Sequence, residues 1–242
     1  MMVQKSAKKR GRPRAYDPGQ AMAQARSLFW DSGYAATSLD DLAAGTGMNR
    51  PSLYAAFGDK RTLYRQALEG YRTFGVDAIK AALRDDVPVR RAFIDLYQRA
   101  VALYLHGEHG QRGCFLISTA LTESVLDLEV RTLAAQALRE FEAAFELRIR
   151  AARDQGELPP DSDPAALASV ASGILYALSV RARTGATRAT LNAIIAAGVA
   201  TLFPQPPRNA GPAGRARTRP AGAADFVGYI RHSAIHNKET PS

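Results

Sequence analysis

Apolar residues recur at helical spacing through most of the chain, and the breaks between stripes carry helix caps. Ala21, Ala25, Leu28 and Phe29 form the first stripe. Asp17-Pro18 opens it, aspartate as cap and proline at the first position, and Gly33 closes it. Thr37 to Lys60 then reads as two short helices on a tight turn, with a third beginning at once. Ser38 caps the first of these and Asp41, three residues on, completes a capping box. Leu39, Leu42 and Ala43 share one face, and Gly45 and Gly47 break the helix. Asn49 caps the second helix, and Pro51 sits in its first turn, where a missing N–H costs nothing. Leu53 and Phe57 point inward, which leaves Arg50, Ser52, Tyr54 and Ala55 outside. Gly58 ends it and Asp59 caps the next.

Longer stripes follow. Lys60 to about Leu83 has a wide apolar face from Leu63 to Ala78, and Asp86-Val87-Pro88 interrupts it. Val89 to about Leu105 turns Phe93, Leu96, Tyr97, Val101 and Tyr104 inward. A polar loop, 106–113, leads to a short apolar helix ending near Ser124. Asp127 opens a helix to about Gln155, with Phe141, Phe145 and Ile149 on one side. Asp163-Pro164 and Thr187 start the last two helices, stopped at Gly185 and Pro204. The fold class is all-α, with about nine helices.

A helix pair joined by a glycine turn, with a small, polar and basic outer face on the second helix, suits the DNA major groove. The charge distribution agrees. Net charge is +9, but residues 1–60 hold nine Lys/Arg against five Asp/Glu, residues 61–203 seventeen against sixteen, and residues 204–242 six against two. The basic ends favour a polyanion, and the middle is electrically bland. Before the first helix lie Lys5, Lys8, Lys9, Arg10, Arg12 and Arg14 with no acid, a composition that fits a disordered arm. Arg10 and Arg12 are placed to enter a narrow minor groove.

Leu28-Phe29, Gly33-Tyr34, Thr37-Ser38-Leu39, Leu42-Ala43, Gly47-Met48, Ser52-Leu53-Tyr54, Phe57 and Asp59-Lys60 together resemble the DNA-binding domain of the TetR (tetracycline repressor) family of bacterial regulators. The resemblance covers residues 16 to 60. It implies a homodimer on a palindromic, inverted-repeat operator in double-stranded DNA, with a C-terminal domain that binds a small effector. The division is then a basic arm at 1–15, a helix-turn-helix domain at 16–60, a ligand-binding and dimerisation domain at 61–203, and a basic tail at 204–242. On the DNA side Asn49, Arg50, Pro51, Ser52, Tyr54 and Ala55 form the contact face. Arg50 is expected to read a base edge, and Ser38, Tyr54 and Lys60 to hold phosphates, with the resemblance supporting Tyr54 and Lys60 most directly. The last two helices carry Gly173, Ala177, Ala193, Ala196, Ala197 and Gly198, small residues where such regulators form a four-helix dimer interface.

Tyr97, Tyr104, Phe115, Phe141, Phe145 and Tyr176 recur on faces that should converge on a pocket for an apolar or aromatic molecule. His106, His109 and Cys114 share one loop, but their spacing matches no strong zinc pattern, so no metal or cofactor is expected. Cys114 as a thiol sensor would make the protein a redox- or metal-responsive regulator. A nonspecific architectural DNA-binding protein is the other alternative. The single cysteine fits a reducing cytoplasm, no signal peptide or membrane span is expected, and no enzyme motif is present.

Overall fold

The computed structural model describes residues 17–106 and 111–204. Over the described residues it is helical throughout: α1 (Pro18–Ser32), α2 (Leu39–Thr46), α3 (Arg50–Phe57), α4 (Lys60–Ala82), α5 (Val89–Tyr104), a π-helical stretch (Leu116–Ala120) running into α6 (Leu121–Glu123), α7 (Leu128–Asp154), α8 (Pro164–Arg183) and α9 (Arg188–Leu202). The basic arm with Arg10 and Arg12, His109, and the tail beyond Pro204 lie outside the described residues.

The helices start where the caps are. Asp17 accepts from Gly19 N at 2.8 Å, Asn49 from Ser52 N at 2.9 Å and Asp59 from Thr62 N at 2.7 Å. Each satisfies a backbone N–H that the first turn leaves without a partner. Ser38 and Asp41 complete the capping box in both directions.

The two glycines of the turn do different jobs. Gly47, at φ 65°, makes the left-handed turn that ends α2. Gly45 lies inside α2, where a Cβ would stand 2.6 Å from Leu28 Cδ1. It is a packing glycine that lets α2 press onto α1, not a breaker.

α1, α2 and α3 close over Ala25, Phe29, Leu42 and Leu53, and α4 continues that core through Leu63 and Tyr64 into the second domain. There α5, α7, α8 and α9 pack around Phe93, Tyr97, Phe145, Leu178 and Leu191. α8 is the most apolar long helix among the described residues: one 18-residue window has mean hydropathy 1.5, enough to cross a bilayer by length and composition alone. Its apolarity comes from Leu167, Val170, Ile174, Leu175, Leu178 and Val180 together with its alanines, interrupted by serines. In the fold 39% of that window is buried, against α5, α7 and α9.

The π-helical stretch replaces part of the short apolar helix expected before Ser124. Thr119 donates to Phe115 O at 2.8 Å and accepts from the Tyr64 hydroxyl at 2.8 Å. The widened turn therefore sits against α4, next to the joint between the two domains.

Candidate nucleic-acid interface and effector cleft

α3 presents the face expected of a recognition helix. Arg50, Pro51, Tyr54 and Ala55 are exposed and Ser52 is half-buried. Arg50 is not loose, however. Its Nε donates to Asp40 Oδ1 at 2.7 Å and its Nη2 to Asp40 Oδ2 at 2.5 Å. Lys60, at the start of α4, holds its ammonium 4.4 Å from the centre of the Tyr34 ring. Ser38 is exposed, but its hydroxyl donates to Asp41 Oδ2 at 2.7 Å and accepts from Asp41 N at 3.1 Å. Its proton is committed, and a carboxylate held below its ordinary pKa by that same Ser38 bond stands beside it. A phosphate there must take backbone N–H groups or displace Asp41, so Ser38 fits a phosphate contact less well than its position indicated.

The DNA-binding domain is locked to the second domain by a joint whose chemistry was illegible in the sequence. Trp30 on α1 donates its indole N–H to Gly113 O at 3.1 Å and packs edge-on to Tyr71, with ring centres 5.1 Å apart. Arg112 donates to both carboxylate oxygens of Asp31 at 2.5 Å and also reaches Ser27. Arg183 of α8 donates to the carbonyls of Trp30 and Arg112 at 3.0 and 3.1 Å. On the opposite flank Arg61 of α4 binds Asp127 at 2.6 Å, and Arg65 pairs with Glu129. Trp30 is thus more than a packing residue. Nothing in its stripe could reveal a partner 83 positions away.

A narrow cleft with about 50 Å³ of free interior, open to solvent at its mouth, lies between α4, α5, α7 and α8. Of the six aromatic residues expected to line a pocket, Tyr104, Phe141 and Tyr176 do. Tyr97, Phe115 and Phe145 do not, and each is 0% exposed. Tyr97 donates to Ala171 O at 2.8 Å, Phe145 packs on Phe93, and Phe115 fills the joint between Trp30, Tyr64 and Tyr71. A helical stripe tells which residues point inward, not whether they meet a void or another ring. The wall also holds Tyr71, Phe74, Gly75, Arg99 and Cys114, which the aromatic pattern did not single out. Arg99 is the charged member of this lining.

Cys114 accepts a hydrogen bond from the Tyr71 hydroxyl at 3.4 Å, and burial pushes its thiol pKa up. The Tyr71 bond favours the thiolate, but burial is the larger effect and works against a nucleophilic one. Among the described residues no group of three or more His, Cys, Asp or Glu is placed to hold a metal ion.

Comparison with known proteins puts this architecture in context. The family model described as bacterial regulatory proteins, tetR family, matches residues 21–67, and that of the tetracyclin repressor-like C-terminal domain matches residues 89–197. The HTH-type transcriptional repressor ComR of Escherichia coli (strain K12) is 35% identical over 183 residues, spanning 74% of this chain and 86% of ComR. The chain belongs to the TetR family. The repressor BdcR of the same organism is 37% identical over 119 residues, 48% of this chain and 59% of BdcR. A solved structure of the TetR-family regulator CifR, a cysteine mutant complexed with 26-bp double-strand operator DNA, superposes with TM-score 0.71. It is 32% identical and covers 78% of this chain and 98% of that one. The protein is therefore a DNA-binding transcriptional regulator of the TetR family and not an enzyme.

In this TetR-family member α8 and α9 leave one face uncovered. On α8 Val170, Gly173, Ala177 and Val180 are exposed along one stripe, and on α9 Ala193, Ala196, Ala197 and Ala200 are exposed along another. Gly198 belongs to neither. A Cβ there would stand 2.7 Å from Ile174 Cδ1, so this glycine lets α9 approach α8 within the chain.

Proposed function

We propose that the protein is a homodimeric repressor that binds an inverted-repeat operator in the cytoplasm and leaves it when a small apolar or aromatic molecule enters the cleft. The observation that carries this reading is the cleft's place in the molecule. Its wall at Tyr71 and Cys114 is also the floor of the joint at Trp30 and Gly113. A molecule that separates Tyr71 from Tyr104 therefore pushes on the residues that hold α1.

A second lever is α4. A Cβ at Gly75 would stand 2.6 Å from the Phe141 ring, so that ring rests directly on the α4 backbone. Displacing Phe141 tilts α4, and α4 begins at Lys60 beside the recognition helix. Half-sites must lie about one DNA turn apart, ~34–36 Å, for both recognition helices of a dimer to dock. A tilt that moves them a few ångströms releases DNA without unfolding the domain. The lining favours an apolar or aromatic body, with Arg99 and the tyrosine hydroxyls as polar hooks.

The uncovered small-residue face of α8 and α9 supports the dimer, because two such helix pairs can approach closely and bury it. The names of ComR and BdcR support repression over activation. The test is selection of bound duplexes from a randomised pool, followed by sequencing. The reading expects an inverted repeat bound by two chains. A single unrepeated site bound by one chain would overturn it.

A further inference from the structure

The Arg50–Asp40 pair is the one inter-helix ion pair on the DNA-facing side of the helix-turn-helix among the described residues. Its geometry is specific. Asp40 on α2 takes the side of the guanidinium made by Nε and Nη2, through two bonds of 2.7 and 2.5 Å. A guanidinium carries five N–H groups in a rigid planar fork. With two of them given to Asp40, both Nη1 hydrogens and one on Nη2 remain, and they lie along the outer end of the fork. That end matches the N7 and O6 acceptors of a guanine edge.

The pair's exposure says what it is not for. The two side chains are 55% and 72% exposed, and ion pairs that wet contribute little to stability. Nor does α2 need Asp40 as a cap, since Ser38 and Asp41 already supply one. What remains is geometric. Arg50 is the first residue of α3 and has a long, flexible side chain facing solvent. Unheld, it could reach a phosphate as easily as a base. Asp40 also places a negative charge beside the groove, which repels a backbone approached in the wrong register.

We propose that Asp40 is a specificity-determining positioning residue: it clamps the inner side of the Arg50 guanidinium so that the outer end reads guanine and does not wander to phosphate. The proposal rests on the reading that α3 enters the major groove with Arg50 at a base edge. The test uses the full chain as wild type, Asp40→Asn and Arg50→Ala. Each is run through selection from a randomised duplex pool and a salt titration on a fixed nonspecific duplex. Thermal unfolding confirms that each variant is folded.

Asp40→Asn is nearly isosteric and removes only the charge. Discrimination at the base pair read by Arg50, about tenfold or more in the wild type, is expected to fall to about threefold or less in both variants. On the nonspecific duplex, Asp40→Asn frees Arg50 for one more phosphate, so its log K against log salt slope steepens by about one. If Arg50→Ala relaxes that position while Asp40→Asn keeps wild-type discrimination, the clamp is wrong and the reading of α3 stands. If Arg50→Ala changes no base preference, that reading fails and the clamp fails with it.

Discussion

Arg112→Ala is the sharpest perturbation of the joint between the DNA-binding domain and the cleft. The Arg112 side chain is 13% exposed and donates twice to Asp31 at 2.5 Å, with further bonds to Ser27. Breaking a buried ion pair costs about 3–5 kcal/mol, but Asp31 is 42% exposed and rehydrates when its partner leaves. The loss therefore lies nearer the value of a charge-assisted hydrogen bond, about 1.5–3 kcal/mol. In a chain of this length each kcal/mol moves the midpoint by about 2–4 °C, so Tm should fall by about 3–12 °C. Trp30 is the only tryptophan in the sequence, and Arg112 lies 5.3 Å from its ring, so its fluorescence reports the joint directly. Position 112 belongs to the joint and not to the recognition face, yet operator binding should weaken. DNA must then hold α1 in place with less help, and each ~1.4 kcal/mol of that cost is tenfold in Kd. A Tm within about 1 °C of wild type together with unchanged operator affinity would show that the joint carries no coupling energy.

Other outcomes follow from the same geometry. Arg50→Ala should cost about 1–3 kcal/mol of operator binding and relax base preference, whereas Lys60→Ala should weaken all sequences alike and flatten the salt slope by about one; fluorescence anisotropy across a salt series separates them. Ala177→Glu, on the uncovered face, should give a folded monomer by light scattering at micromolar concentration, while Gly198→Glu should lower Tm because it collides with Ile174 inside the chain. Burial raises the Cys114 pKa. That contribution works against stability only as pH rises through the ordinary thiol range, where the unfolded chain ionises and the folded one does not. At pH 7.5 iodoacetamide should label native protein at least about tenfold more slowly than unfolded protein; equal rates would reopen the redox reading.

Much of the fold was legible because its signals are local. Asp17-Pro18, Ser38 with Asp41, Asn49, Asp59 and Asp163-Pro164 mark helix starts by satisfying N–H groups a few residues away, and each is where a helix begins. The outer face of α3 was legible for the same reason: Leu53 and Phe57 fix which side is in. What the sequence hid is long-range. Gly45 looks like a breaker until Leu28 is seen against it, and nothing in the spacing of Gly198 shows that Ile174 packs on it. Phe115 and Phe141 are equally apolar on equally periodic stretches, but one fills a joint and the other walls a cleft. Asp40 reads as an ordinary first-turn acid, and only the turn at Gly47 brings Arg50 to it.

The central claim, that filling the cleft empties the operator, is tested most directly by one linked titration. Small aromatic compounds are screened for their effect on Trp30 fluorescence, since Trp30 lies 5.1 Å from Tyr71 on the cleft wall. Each compound that binds is then titrated against protein bound to the selected duplex. Allosteric coupling is reciprocal, so a compound that weakens DNA binding tenfold must itself bind tenfold more weakly to the DNA complex, ~1.4 kcal/mol either way. The account predicts that matched loss. A compound that Phe141→Ala or Tyr104→Phe shows to sit in the cleft, yet that leaves operator affinity unchanged, would contradict it.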